Sequence, residues 1–145
     1  MKRPTKIEFV GIHFKEGKEA LDSTTKSGKI IDRVIENFKD FECSKSNLFP
    51  TTVLPKKSAR EQYVDAFKVE EGTLYVCLGN IVRDCLMDRI LLCVDMPHPG
   101  SIPWTCGGSE DYYVERSTRV VKAFFAGFDH GGQNLTNHFK IKSAQ

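Results

Sequence analysis

A chain of 145 residues with 40% hydrophobic and 28% charged side chains has the balance of one globular domain, spanning residues 1–145. That balance excludes wholesale disorder and collagen-like or coiled-coil repetition. Its 21 Lys and Arg nearly cancel its 19 Asp and Glu, leaving +2 with His neutral, so a polyanionic partner has to be met by a local patch.

The chain opens on Met1-Lys2-Arg3-Pro4 and runs straight into charged residues, without the apolar stretch of a signal peptide or membrane span. An intracellular, cytoplasmic protein without a membrane partner is expected. Residues 7–12 are β-prone and end near Gly11, and a Lys-rich loop follows as far as Gly28. Apolar residues at 30, 31, 34, 35 and 38 keep the helical period over 29–38, with Ser27 as the expected cap. A weak second strand is expected over residues 47–54, broken by Pro50, and a helix over 58–68. Residues 73–78 form a near-continuous apolar run, the pattern of a strand buried on both faces. Asn80 opens a further helix, 90–95 reads as another buried strand, 97–108 as a Pro/Gly-rich loop, and 110–125 as a helix. Five Cys stand at 43, 77, 85, 93 and 106 with no CxxC pair; Cys77, Cys85 and Cys93 lie within or beside apolar runs, as buried free thiols do.

Strands alternating with helices at this spacing predict a three-layer α/β/α sandwich around a four-stranded parallel sheet with right-handed crossovers. Sites in such sheets lie beyond the carboxyl ends of the strands. Three segments emerge there: the loop over 12–27, the region of Asn47, and the loop over 97–104.

Those segments carry Val10-Gly11-Ile12-His13, the stretch 21–29 with Thr25-Lys26-Ser27-Gly28, Ser46-Asn47-Leu48-Phe49-Pro50, Leu78-Gly79-Asn80, and Met96-Pro97-His98-Pro99-Gly100-Ser101-Ile102. In order and placement these resemble the strand-end motifs of the uracil-DNA glycosylase superfamily, over most of the chain. The resemblance implies that superfamily's fold and a monofunctional DNA glycosylase of base-excision repair. Such an enzyme excises uracil or a related damaged base after flipping it out of the stack. It implies DNA as partner, a monomer, and neither cofactor nor metal.

Residue chemistry fits these roles. The Asn47 amide offers a donor and an acceptor, so it can pair with O4 and N3–H of uracil and reject cytosine. His98, stiffened between Pro97 and Pro99, can donate to the base O2 as negative charge grows there. His13 stands where the family places Asp or Asn and can orient water near neutral pH; Glu16, Glu19 and Asp22 are acids in the same loop. The resemblance adds Gly11, Ile12 and Phe14 to the base pocket and gives Gly100 and Ser101 to a phosphate. It makes Ile102, extended by Pro103 and Trp104, an apolar wedge in the emptied stack. Lys26, Lys56, Lys57 and Arg60 would form a DNA-backbone rim. From the residues alone, Asn47 serves equally as a turn residue before Pro50, and His98 as a surface histidine in a rigid turn. Ile102 and Trp104 serve equally as pins for the loop, and the lysines as solvated helix caps.

The cysteine spacing does not reproduce an iron–sulfur pattern, and His130 and His138 lack partnering Cys pairs. A second reading is a non-catalytic module of the same fold that binds DNA, a nucleobase or a protein partner. A remoter one is an unrelated flavodoxin-like α/β enzyme, although no GxGxxG or P-loop is present.

Overall fold

The uninterrupted apolar run predicts a central strand, and in the computed structural model, which describes residues 2–90, 92–130 and Lys142, it forms one. This strand, β3 (Thr73–Leu78), is buried at all six positions. β1 (Lys6–His13) and β4 (Cys93–Met96) flank it, and β2 (Glu42–Phe49) pairs on the far side of β1. The sheet is parallel throughout, in the order β2-β1-β3-β4.

Alternation along each strand sends side chains to two separate cores. On one face Ile7, Phe9, Leu74 and Val76 meet α1 (Lys26–Ile35) and α5 (Glu110–Asp129) through Ile31, Val34, Tyr113, Val121 and Phe125. On the other, Val10, Tyr75 and Cys77 meet α2 (Arg60–Ala66) and α3 (Asn80–Leu86) through Val64, Val82 and Leu86. The result is an α/β fold with helices on both faces of the sheet, and each large side chain so buried contributes about 1.5–3 kcal/mol.

Several boundaries differ from the sequence reading. The second strand ends, rather than begins, at the Asn47 segment, because Pro50 has no N–H to continue the ladder. Its polar half is tolerated at a sheet edge, where the Ser44 and Ser46 hydroxyls donate to the Glu8 carboxylate at 3.2 and 2.8 Å. Thr25, not Ser27, caps α1: its hydroxyl accepts from the Gly28 N–H at 3.0 Å. A 3₁₀ turn over Lys57–Ala59 precedes a shorter α2, and β4 starts at Cys93. The 97–108 loop contains a 3₁₀ turn, Pro99–Ser101, and a single helical turn, α4 (Ile102–Thr105). All five thiols are free, but only Cys77 and Cys106 are fully buried, whereas Cys43, Cys85 and Cys93 are half-buried. His138 and the formal sequon Asn134-Leu135-Thr136 lie outside the described residues. No helix among the described residues is long and apolar enough to cross a membrane.

Candidate functional site

The parallel register sets Gly11 of β1 beside Asn47 of β2 near the carboxyl end of the sheet. The Asn47 amide lies across that glycine, so a Cβ at position 11 would stand 2.5 Å from Asn47 Oδ1. Leu21 closes over the same spot, with its side chain 3.5 Å from the position of such a Cβ. It is 8% exposed and holds φ at 48°, a left-handed conformation that a leucine keeps only under external constraint. Lys45 supplies that constraint from β2, two residues before Asn47: its ammonium donates to Leu21 O at 2.8 Å and Ser23 Oγ at 3.2 Å, and pairs with Asp32 of α1 at 2.5 Å. Within the loop, the Asp22 carboxylate accepts from the Thr24 hydroxyl and from the Thr24 and Glu19 N–H groups, which together hold its pKa at about 2. Gly28 permits the close approach of loop and helix, since a Cβ there would sit 1.8 Å from Asp22 O.

His98 is held by its own turn. Its Nδ1 accepts the Gly100 N–H at 3.0 Å, and its carbonyl accepts the Ser101 N–H at 2.9 Å and hydroxyl at 2.7 Å. An accepting Nδ1 in a neutral imidazole places the proton on Nε2, so the ring presents a donor. Burial pushes the His98 pKa down, and His13 and Lys15 add to the effect, so the ring stays neutral. His13 is engaged the other way round: its Nδ1 faces Phe14 O at 3.3 Å and donates, so in a neutral ring Nε2 is the acceptor.

Asn47, His13 and His98 line one cavity of about 160 Å³, together with Ile12, Lys15 and Leu21. Drug-sized ligands occupy roughly 300–1,000 Å³, so this space suits a single flat ring. A second cavity of about 310 Å³ adjoins it through His98, on the β4 side.

The remaining expected site residues fall elsewhere or act differently. Gly100 and Ser101 do not offer donors to a phosphate, because the Gly100 N–H and both Ser101 donors already bind His98. They are positioning residues for the imidazole. Ile102 is 5% exposed and packs into the α1/α5 core, so it presents no wedge; Pro103 and Trp104 are the exposed apolar side chains of that turn, Trp104 at 65%. Phe14 is half-buried, bonds through its N–H to Thr51 O at 2.8 Å, and lies outside the cavity lining. Lys26 is exposed at the start of α1. Arg60 donates to Pro55 O at 3.0 Å, and with Lys57 it lines a different groove, toward α3, while Lys56 is exposed beside them. Leu21 heads the 21–29 motif read from the sequence, but its closure over Gly11 gives no local signal; Lys45 lies outside the strand expected over 47–54, so nothing in the sequence points to its clamp on Leu21.

Among the described residues no group of three or more His, Cys, Asp or Glu side chains is placed to hold a metal ion. The chain matches no protein-family model, no curated protein and no solved structure.

Proposed function

We propose that the chain is an intracellular DNA glycosylase with the uracil-DNA glycosylase fold, hydrolysing the N-glycosidic bond of uracil or a related damaged base after base flipping. The observation that carries this reading is the meeting of the Asn47 amide, the His98 Nε2–H donor and the His13 Nε2 acceptor in one ring-sized cavity at the carboxyl ends of the strands. The amide has no hydrogen-bond partner among the described residues and is free to read O4 and N3–H of the base. Bond cleavage leaves the electron pair on the base, and the resulting charge at O2 receives the His98 hydrogen bond. Water then adds to the sugar carbon, giving up its proton to His13 Nε2.

Incubation with uracil-containing single-stranded and duplex oligonucleotides is expected to give abasic sites and free uracil. Intact oligonucleotides at stoichiometric protein, across uracil and a panel of other lesions, would overturn the assignment. A specific observation favours a second reading, a non-catalytic base-binding module: of the two carboxylates that line the cavity, Asp22 is tied by three loop donors, which leaves Glu19 alone to act on water. Binding of uracil-containing DNA that survives His98→Ala and His13→Ala, with no cleavage in any form, would favour that module.

A further inference from the structure

We infer that the groove on the β4 side of His98 is a subsite for the nucleotide next to the excised one in single-stranded DNA, with the Trp104 indole as its stacking platform. The inference rests on reading the smaller cavity as the base pocket and adds the substrate's strandedness.

Continuity is the first argument. The groove, lined by Asn80, Arg83, Asp95, Pro97 and Trp104, shares His98 as a wall with the base pocket, and within it Arg83 offsets the Asp95 charge at 3.7 Å. A strand with one base in the pocket therefore carries the adjacent base into the groove. About 310 Å³ against about 160 Å³ leaves room for more than a bare ring.

Trp104 is the only Trp in the chain and is 65% exposed, yet it sits on a fixed turn. Ile102 at 5% and Thr105 at 9% exposure anchor that turn, and the Thr105 hydroxyl donates to Ser101 O at 2.9 Å. An exposed aromatic on an anchored turn beside a base-sized cavity is the arrangement by which sequence-tolerant single-strand binders stack successive bases.

Burial of Ile102 removes the side chain that would fill the gap left in a duplex stack. A flipped nucleotide in duplex DNA costs a few kcal/mol of unpairing and unstacking, and least when the base is already single-stranded. Charge agrees: Lys15 and Lys18 at the cavity, and Lys26 at the exposed start of α1, form no ion pair among the described residues. Ammonium groups without a carboxylate partner are available to phosphates.

The test uses the full chain and undamaged DNA, so its readout is independent of base excision. Titration with a short oligothymidylate at low salt is expected to quench the emission of Trp104, the sole tryptophan. The same strand annealed to its complement, and polyglutamate of equal charge, are expected to bind more weakly. For Trp104→Ala, anisotropy of a labelled oligothymidylate should show affinity reduced about 5- to 100-fold, the equivalent of one base–aromatic stack. Circular dichroism confirms that this exposed-site variant folds. Absent quenching, equal binding of duplex or polyglutamate, or wild-type affinity in Trp104→Ala would each overturn the inference. Quenching by oligothymidylate in a protein that excises no base would leave the subsite standing and remove the glycosylase reading.

Discussion

The two ends of the sheet treat charge in opposite ways. At the amino end the Arg3 guanidinium grips both oxygens of Asp129, at 2.8 and 3.3 Å, and lies over the Phe41 and Phe125 rings at 5.7 and 4.9 Å. Lys6 stands between Glu42 and Glu70, at 3.9 and 3.8 Å. At the carboxyl end Lys45 and Arg83 are paired with carboxylates, but Lys15 and Lys18 line a cavity with no ion-pair partner among the described residues, an amide faces the same cavity, and Leu21 holds a left-handed φ. Groups satisfied by one another stabilise a fold, whereas groups held in place and left unsatisfied are available to a ligand. The carboxyl end is therefore where substitutions should act on activity, and the amino end where they should act on stability alone.

The largest expected effect is that of His98→Ala, which removes the Nε2–H donor. Initial rates of uracil release should fall about 10²–10³-fold, while the melting temperature changes little. The titration of the His98 ring sharpens the point. Burial, with His13 and Lys15, holds the His98 pKa below its ordinary 6.5. The neutral His98 donor should therefore persist as pH falls through 6.5 and be lost only at the lowered value, where protonation of Nδ1 breaks the Gly100 hydrogen bond, as an NMR titration of its ring would show. The unfolded chain binds this proton at its ordinary pKa, so stability should fall as pH drops between 6.5 and the folded-state value. A His98 ring that titrates at its ordinary pKa would contradict the assigned donor state.

How much of this was legible in the sequence depended on how local each cause is. The apolar run of β3 and the period of α5 are local patterns, and the structure forms both elements, with α5 running on to Asp129. β2 was misplaced because an edge strand with polar Ser44 and Ser46 has no apolar alternation to display. The motif around His98 identified residue types but not how their donors are used: Gly100 and Ser101 are consumed by the histidine they follow, and Ile102 turns inward. The Lys45 clamp on Leu21 joins a strand to a distant loop, a contact that spacing does not encode.

Next in size come the two glycines that allow close approach at the carboxyl end. Gly11→Ala sets a methyl against the Asn47 amide, which can turn away, so loss of uracil release should exceed loss of stability. Gly28→Ala sets a methyl against the Asp22 carbonyl, a main-chain atom, so the loop itself must move. Overpacking of this kind costs typically about 1–3 kcal/mol, readable as a lowered melting temperature. If Gly11→Ala leaves excision untouched, the amide is not the reader of the base.

A smaller effect separates the loop from the rest of the fold. The Asp22 carboxyl titrates near 2, below its ordinary 3.8, because the anion accepts from Thr24 and Glu19. Its contribution is therefore complete above the ordinary value and is lost as pH falls from about 4 toward 2. Asp22→Asn should flatten that part of an acid unfolding curve followed by circular dichroism. An unchanged curve would show that the loop's order does not depend on this anion.

The smallest expected effect lies at the amino end. Arg3 holds the Asp129 carboxyl below its ordinary value, first through their hydrogen bonds, so this pair too weakens as pH falls below the carboxylate range. Both groups face water, where salt screens the attraction and fixing two long side chains offsets much of it. Arg3→Ala should lower the melting temperature slightly, more at low salt than at high, through the lost pair and the lost cover on Phe41 and Phe125. Uracil release and oligothymidylate binding should stay at wild-type levels, because no residue of this cluster lines either cavity at the other end. A comparable loss of activity in Arg3→Ala and His98→Ala would mean that the ends are coupled through the sheet, and the division of roles between them would have to be abandoned.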